Sequence, residues 1–96
     1  MKLSIVICVY NEEDNIGPMV EAIDKSLSRF DYELIYVDDG STDDTVERIH
    51  SVKDKRVSLI ELKKNYGQSA ALAAGIDYAK GDLIATLDGD LQNDPA

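Results

Sequence analysis

Apolar residues in this chain change their spacing from one segment to the next, and that switching constrains the fold more than any other feature. Residues 3–9 (LSIVICV) form a short apolar run rich in β-branched side chains, the pattern of a strand covered on both faces. Ile16, Met19, Val20, Ile23, Leu27 and Phe30 then recur at helical spacing, with Pro18 tolerable in a first turn. Residues 32–37 (YELIYV) predict a second strand. The next helix is expected to be capped by Ser41 or Thr42, to carry Asp43 and Asp44 in its first turn, and to turn Val46 and Ile49 inward. Residues 57–62 (VSLIEL) read as a third strand, 67–81 as an Ala-rich helix closed by Gly81, and 82–87 (DLIATL) as a fourth strand.

This alternation predicts an α/β fold: a mostly parallel, Rossmann-like sheet with helices on both faces. The 96 residues suffice for one domain, 1–96, and no repeat or low-complexity segment divides them. No apolar stretch approaches the roughly 20 residues that span a bilayer, and the N-terminus lacks the pattern of a signal peptide. Cys8 lies inside an apolar run without an intrachain partner cysteine, which predicts a buried thiol in a reducing, cytoplasmic setting. With 19 acids against 10 bases, the chain is poorly suited to bind nucleic acid or anionic lipid through a basic face.

In parallel sheets ligands bind outside the carboxyl ends of the strands. The expected strand ends here carry Tyr10-Asn11-Glu12-Glu13, Asp38-Asp39-Gly40, Lys63 to Gly67, and Asp88-Gly89-Asp90. Carboxylates gathered on one edge repel one another, and a divalent cation with oxygen ligands would offset that cost. In extended backbone Asp88 and Asp90 point the same way and could share one ion, with Gly89 allowing close approach. Mg²⁺ or Mn²⁺ suits such a pair, with substrate phosphates completing the shell; the competing reading of the triplet is a solvated turn. One of Asp38 and Asp39 could accept hydrogen bonds from a nucleobase edge. Tyr10 could stack on a ring or pack. His50, on a surface helix, reads as solvated.

Four segments, VYNEEDNI, VDDGSTDDT, KNYGQSAALAAGI and LDGDLQND, stand in this order and spacing. Together they resemble the family-two inverting glycosyltransferases, and among them the polyprenyl-phosphate sugar transferases acting on dolichyl or undecaprenyl phosphate. Val9 stands where that family often has Pro, and Gly89 where it commonly has Ala. The resemblance implies the nucleotide-diphospho-sugar transferase fold, of which this chain would be the N-terminal half. It implies that Val9, Tyr10 and Glu12 line a nucleotide pocket and that Val37 and Asp39 contact the base. Asp88, Asp90 and Gln92 would hold the metal at the diphosphate, and Gly89 would leave room for ribose and phosphates. The implied donor is a UDP- or GDP-linked sugar and the implied acceptor a lipid phosphate. Any general base, the acceptor site and membrane-associated segments would lie beyond residue 96, at the cytoplasmic face of the membrane.

Three other enzyme readings compete. A receiver domain or phospho-aspartate phosphatase also uses Mg²⁺ and strand-end acids, but a phosphatase would carry a D-x-D on its first strand, which here ends in Tyr-Asn-Glu-Glu. A dinucleotide-dependent oxidoreductase would need G-x-G-x-x-G after a strand. A sugar-nucleotide pyrophosphorylase would need a Gly-rich basic loop after the first strand. A non-catalytic nucleotide-binding module is the alternative from outside the enzymes.

Overall fold

The computed structural model describes residues 1–63 and 67–88. Strands β1 (Lys2–Val9), β2 (Asp31–Asp38), β3 (Val57–Glu61) and β4 (Leu83–Asp88) form one sheet in the order β3-β2-β1-β4. Every neighbouring pair is parallel. Helices α1 (Ile16–Leu27), α2 (Thr45–His50) and α3 (Gln68–Tyr78) make the connections. This is the parallel α/β sheet that the alternating periods predict.

The pleat sends alternate residues to opposite faces, and each face has its own core. On one side Ile5, Ile7 and Val9 of β1 join Tyr32, Leu34 and Tyr36 of β2 against Ile16, Met19 and Ile23 of α1 and Ile49 of α2. On the other, Val6, Ile35 and Val37 pack with Ala71 of α3, and Cys8, Ile60 and Leu72 border them. The Ala-rich α3 sits so close to the sheet that a Cβ on Gly75 would lie 2.3 Å from Val6 Cγ1. Beyond β1, β4 is less covered. Leu83, Ile84 and Leu87 are exposed, as are Ile76 and Tyr78 of α3.

Several element boundaries differ from the sequence reading, each for a local reason. Helix α1 ends at Leu27, and Phe30 is 60% exposed rather than part of the core. Helix α2 begins at Thr45, not at Ser41 or Thr42, so Asp43 and Asp44 precede it. A single 3₁₀ turn, Glu13–Asn15, leads into α1. Helix α3 stops at Tyr78 with Ala79 already extended, so Gly81 is not its cap. Gly81 is small for another reason: a Cβ there would meet Ser4 Oγ at 2.5 Å and the Lys2 carbonyl oxygen at 2.8 Å.

That close approach belongs to a polar latch at the amino end of the sheet. Ser4, fully buried, donates through Oγ to Glu33, and Oγ in turn accepts the Gly81 N–H at 2.7 Å. Glu33 also accepts the Lys80 N–H at 2.7 Å. Lys2 N–H donates to the Asp82 carboxylate, and Asp82 N–H returns a bond to the Lys2 carbonyl. The segment entering β4 is thereby pinned to β1, which sets where the opposite end of β4 emerges.

Candidate functional site

The chain builds outward from β1 to β2 and β3, then crosses back so that β4 joins the free side of β1. Strand order therefore reverses at β1, and the crevice beyond the carboxyl ends of β1 and β4 is where such sheets bind ligands. Val9 is level with Asp38 of β2, and Cys8 is level with Asp88 of β4. Val9, Tyr10 and Glu12, with Val37 and Asp39 from the next strand, thus gather at one edge together with the backbone of Asp88. Gly89, Asp90 and Gln92 lie outside the described residues, as does the side chain of Asp88.

The two Asp residues after β2 have different fates. Asp38 is 3% exposed and its carboxylate is taken up locally: Ser41 donates to it through both its N–H and its hydroxyl. Asp39 is 7% exposed and accepts the Gly67 N–H at 3.1 Å, just before the first turn of α3. Its own N–H bonds the Val9 carbonyl at 2.9 Å, which continues the β1–β2 pairing one residue past the strands. Asp39 therefore sits between the β1 end and the α3 N-terminus. Tyr10 is 44% exposed, so its ring is open to a partner. Val9 and Val37 are buried, each packed into the core on an opposite face of the sheet.

Consecutive amides of the β1 loop donate into the loop after β2 and the first residue of α2. Asn11 N–H bonds Ser41 Oγ at 2.8 Å, Glu12 N–H bonds Thr45 Oγ1 at 2.9 Å, and Glu13 N–H reaches Asp43 Oδ2 at 3.5 Å. The side chain of Asn11 answers by accepting the N–H groups of Thr42 at 2.8 Å and Asp43 at 3.3 Å. Asp43 also receives the N–H and hydroxyl of Thr45. Asp43 thus takes the first amide of α2, as expected of an acid at a helix start, and through Glu13 N–H it also fastens the two loops. Burial raises the Asp43 pKa, but the bonds from Thr45 and Glu13 outweigh it and hold the carboxylate below its ordinary range. Glu13 moves the other way: partial desolvation, then the charges of Asp43, Asp44 and Asp14, push it up.

Asn11, Ser41 and Thr45 were absent from the sequence-derived site. A signal for them exists in the chain. Asp38 and Ser41, and Asp43 and Thr45, have the short spacings at which Asx and Ser/Thr side chains close turns on nearby amides.

The family model for glycosyl transferase family 2 matches residues 4–96. The chain belongs to glycosyl transferase family 2. Among curated family members, it is 46% identical over 100 residues to dodecaprenyl-phosphate galacturonate synthase of Rhizobium johnstonii, covering 99% of this chain and 30% of that protein. The chain thus spans about 30% of the length of the curated relatives it matches. Of the solved structures, S. aureus TarS 1–349 in complex with UDP-GlcNAc superposes with a TM-score of 0.84 at 26% identity, over 94% of this chain and 27% of that one. Glucosyl-3-phosphoglycerate synthase of Mycobacterium tuberculosis, in complex with Mn²⁺, UDP and phosphoglyceric acid, has a TM-score of 0.76 at 26% identity, over 93% and 33% of the two chains. Family 2 membership sets aside the receiver and phospho-aspartate phosphatase reading.

Proposed function

We propose that this chain is the donor-binding part of an inverting glycosyltransferase that moves a sugar from a UDP- or GDP-linked donor to polyprenyl phosphate. The observation that carries this reading is the meeting of the Tyr10–Glu12 loop, Asp39 and the end of β4 at the strand-order reversal of a family 2 chain. The likeness to a dodecaprenyl-phosphate enzyme supports the lipid-phosphate acceptor, and UDP, UDP-GlcNAc and Mn²⁺ in the superposed structures support a metal-assisted nucleotide-sugar donor.

In this reading the exposed Tyr10 ring lies against the donor nucleotide with Glu12 beside it, and the buried Val9 and Val37 anchor the strand ends that carry the two loops. Asp39 accepts from the edge of the base. Asp88 and Asp90, aided by Gln92, would hold Mg²⁺ or Mn²⁺, and Gly89 would leave room for ribose and phosphates. Hard oxygen donors fit those ions, and the backbone of Asp88 ends β4 at the site edge, one strand from Tyr10. When bound, the ion supplies positive charge for a diphosphate that a chain of net charge −9 would otherwise repel.

Inversion requires the acceptor oxygen to approach sugar C1 from the face opposite the diphosphate. A phosphomonoester has a second pKa of about 6, so its oxygen is already ionised at neutral pH and needs little help from a base. A sugar hydroxyl would need a carboxylate base. A polyprenyl acceptor places the reaction at a membrane surface, on the cytoplasmic side where nucleotide sugars are held. Among the described residues no helix is long and apolar enough to cross a membrane.

A thermal-shift panel of UDP- and GDP-sugars, with and without Mn²⁺, tests the proposal. One nucleotide class should raise Tm in a Mn²⁺-dependent way, and Asp90→Ala should remove the metal-dependent part. A shift that survives that substitution would rule out the metal assignment; no shift with either class would rule out donor binding.

A further inference from the structure

The loops after β1 and β2 are joined more tightly than their lengths require, and one side chain stands on both sides of the join. Asn11 has φ of +53°, in the left-handed region that Asn tolerates better than most residues. This turns its N–H toward Ser41 Oγ, at 2.8 Å, while its side-chain Oδ1 accepts from Thr42 N–H at 2.8 Å and Asp43 N–H at 3.3 Å. The hydroxyl oxygens that receive the β1 loop are themselves oriented by carboxylates: Asp38 holds Ser41, and Asp43 holds Thr45. Two Asp-to-hydroxyl-to-amide relays therefore run side by side, ending on the adjacent amides of Asn11 and Glu12. Asn11 closes the circuit in the opposite direction.

We infer that Asn11 is a positioning residue for the donor site. It holds the β1 loop, with Tyr10 and Glu12, in fixed register with the β2 loop, with Asp39. Tyr10 and Glu12 are its direct neighbours, so a rotation at Asn11 moves both. Asp39 lies two residues before the hydroxyl that Asn11 engages, and its N–H is tied to Val9 O at 2.9 Å. A nucleotide held between a ring from one loop and a carboxylate from the other needs both loops placed before it arrives, because ordering them on binding would weaken affinity. This inference rests on the proposed donor site and deepens it by naming what keeps its two halves together.

Two substitutions separate the side chain's role from that of the backbone turn. Asn11→Gly accepts the positive φ without strain and deletes the Oδ1 acceptor. Asn11→Asp keeps an acceptor and tolerates the same φ, although its charge adds to an acidic neighbourhood. Calorimetry with UDP and with GDP, each with Mn²⁺, should show Asn11→Gly weakened by about tenfold or more, as expected for loss of an interaction near 1.4 kcal/mol. Asn11→Asp should stay within about threefold of the unaltered chain. Amide hydrogen exchange supplies an independent readout: in Asn11→Gly the amides of Thr42 and Asp43 should lose protection about tenfold or more, while those of β1 and β2 keep theirs.

Unweakened binding by Asn11→Gly would overturn the inference. So would unchanged protection at Thr42 and Asp43, or a loss spread through the sheet. If the unaltered chain binds neither nucleotide, the donor-site reading fails, and exchange alone then decides the clamp: selective loss at Thr42 and Asp43 supports it, and no loss overturns it.

Discussion

Gly75→Ala is expected to lower stability by about 2 kcal/mol and Tm by about 8–16 °C, measured by denaturant and thermal unfolding. On propensity alone the change should help, since Ala is favoured over Gly inside a helix by about 1 kcal/mol. Geometry decides the sign. The added Cβ would sit 2.3 Å from Val6 Cγ1 and 3.0 Å from Val37 Cγ2. Both valines are fully buried, Val6 in the middle of β1 and Val37 near the carboxyl end of β2, and cannot swing aside into solvent. Relief requires α3 to lift from the sheet, which opens the contacts among Val6, Ile35, Val37 and Ala71. The double variant Gly75→Ala with Val6→Ala offers a sharper check. Removing the Val6 methyls makes room for the new one, so the pair should be less unstable than the sum of the singles, a coupling of at least about 1 kcal/mol. Simple additivity would mean that the two positions do not press on each other.

Such a site shows how far the sequence carries on its own. The alternation of apolar periods reveals the element order and the two-faced sheet, because burial on both sides of β1 and β2 demands runs such as residues 3–9 and 32–37. It does not reveal that Gly75, one small residue among several in an Ala-rich helix, leaves no room for a Cβ against Val6; that depends on where α3 crosses β1. The missed boundaries have the same origin. Ser41 has the chemistry of a helix cap, yet Asp38 and Asn11 engage its hydroxyl, and α2 starts four residues later. Gly81 has the chemistry of a helix terminator, yet its smallness serves the approach to Ser4 and Lys2.

The candidate site divides along similar lines. That acids crowd the strand ends is plain from the chain, since each apolar run stops at polar residues. Which Asp of the Asp38-Asp39 pair is taken up by Ser41 is not, because their order along the chain is silent about local partners. The structure gives Asp38 to Ser41 and leaves Asp39 at the junction of β1 and α3. Asn11 was passed over because a polar residue in a loop reads as solvated until its partners, about thirty positions away, are known.

At the opposite end of the sheet, Glu33→Ala should cost about 1–3 kcal/mol at neutral pH by stranding buried donors, and should also change the acid response. Glu33 is 9% exposed, accepts from Ser4 Oγ and Lys80 N–H, and has Ser4, fully buried, as its nearest dependent. Burial alone would raise its pKa, but the bonds from Ser4 and Lys80 and the charges of Lys2 and Lys80 outweigh that and hold it below the ordinary value of 4.5. A carboxylate whose folded pKa is depressed contributes stability that is complete above its unfolded pKa and is lost as pH falls through the folded one. The Glu33 contribution should therefore be present at pH 6 and vanish progressively below about pH 4.5, with a slope of at most about 1.4 kcal/mol per pH unit. Asp43 and Asp54 are also depressed and add acid loss of the same sign, whereas Glu13, pushed up by partial burial and its acidic neighbours, opposes them. Denaturant midpoints from pH 7 to pH 3 should thus fall for both proteins but converge at the acid end, since the variant has no Glu33 contribution left to lose. Parallel curves would mean that Glu33 carries no pH-linked stability, and the latch would then act only through its neutral hydrogen bonds.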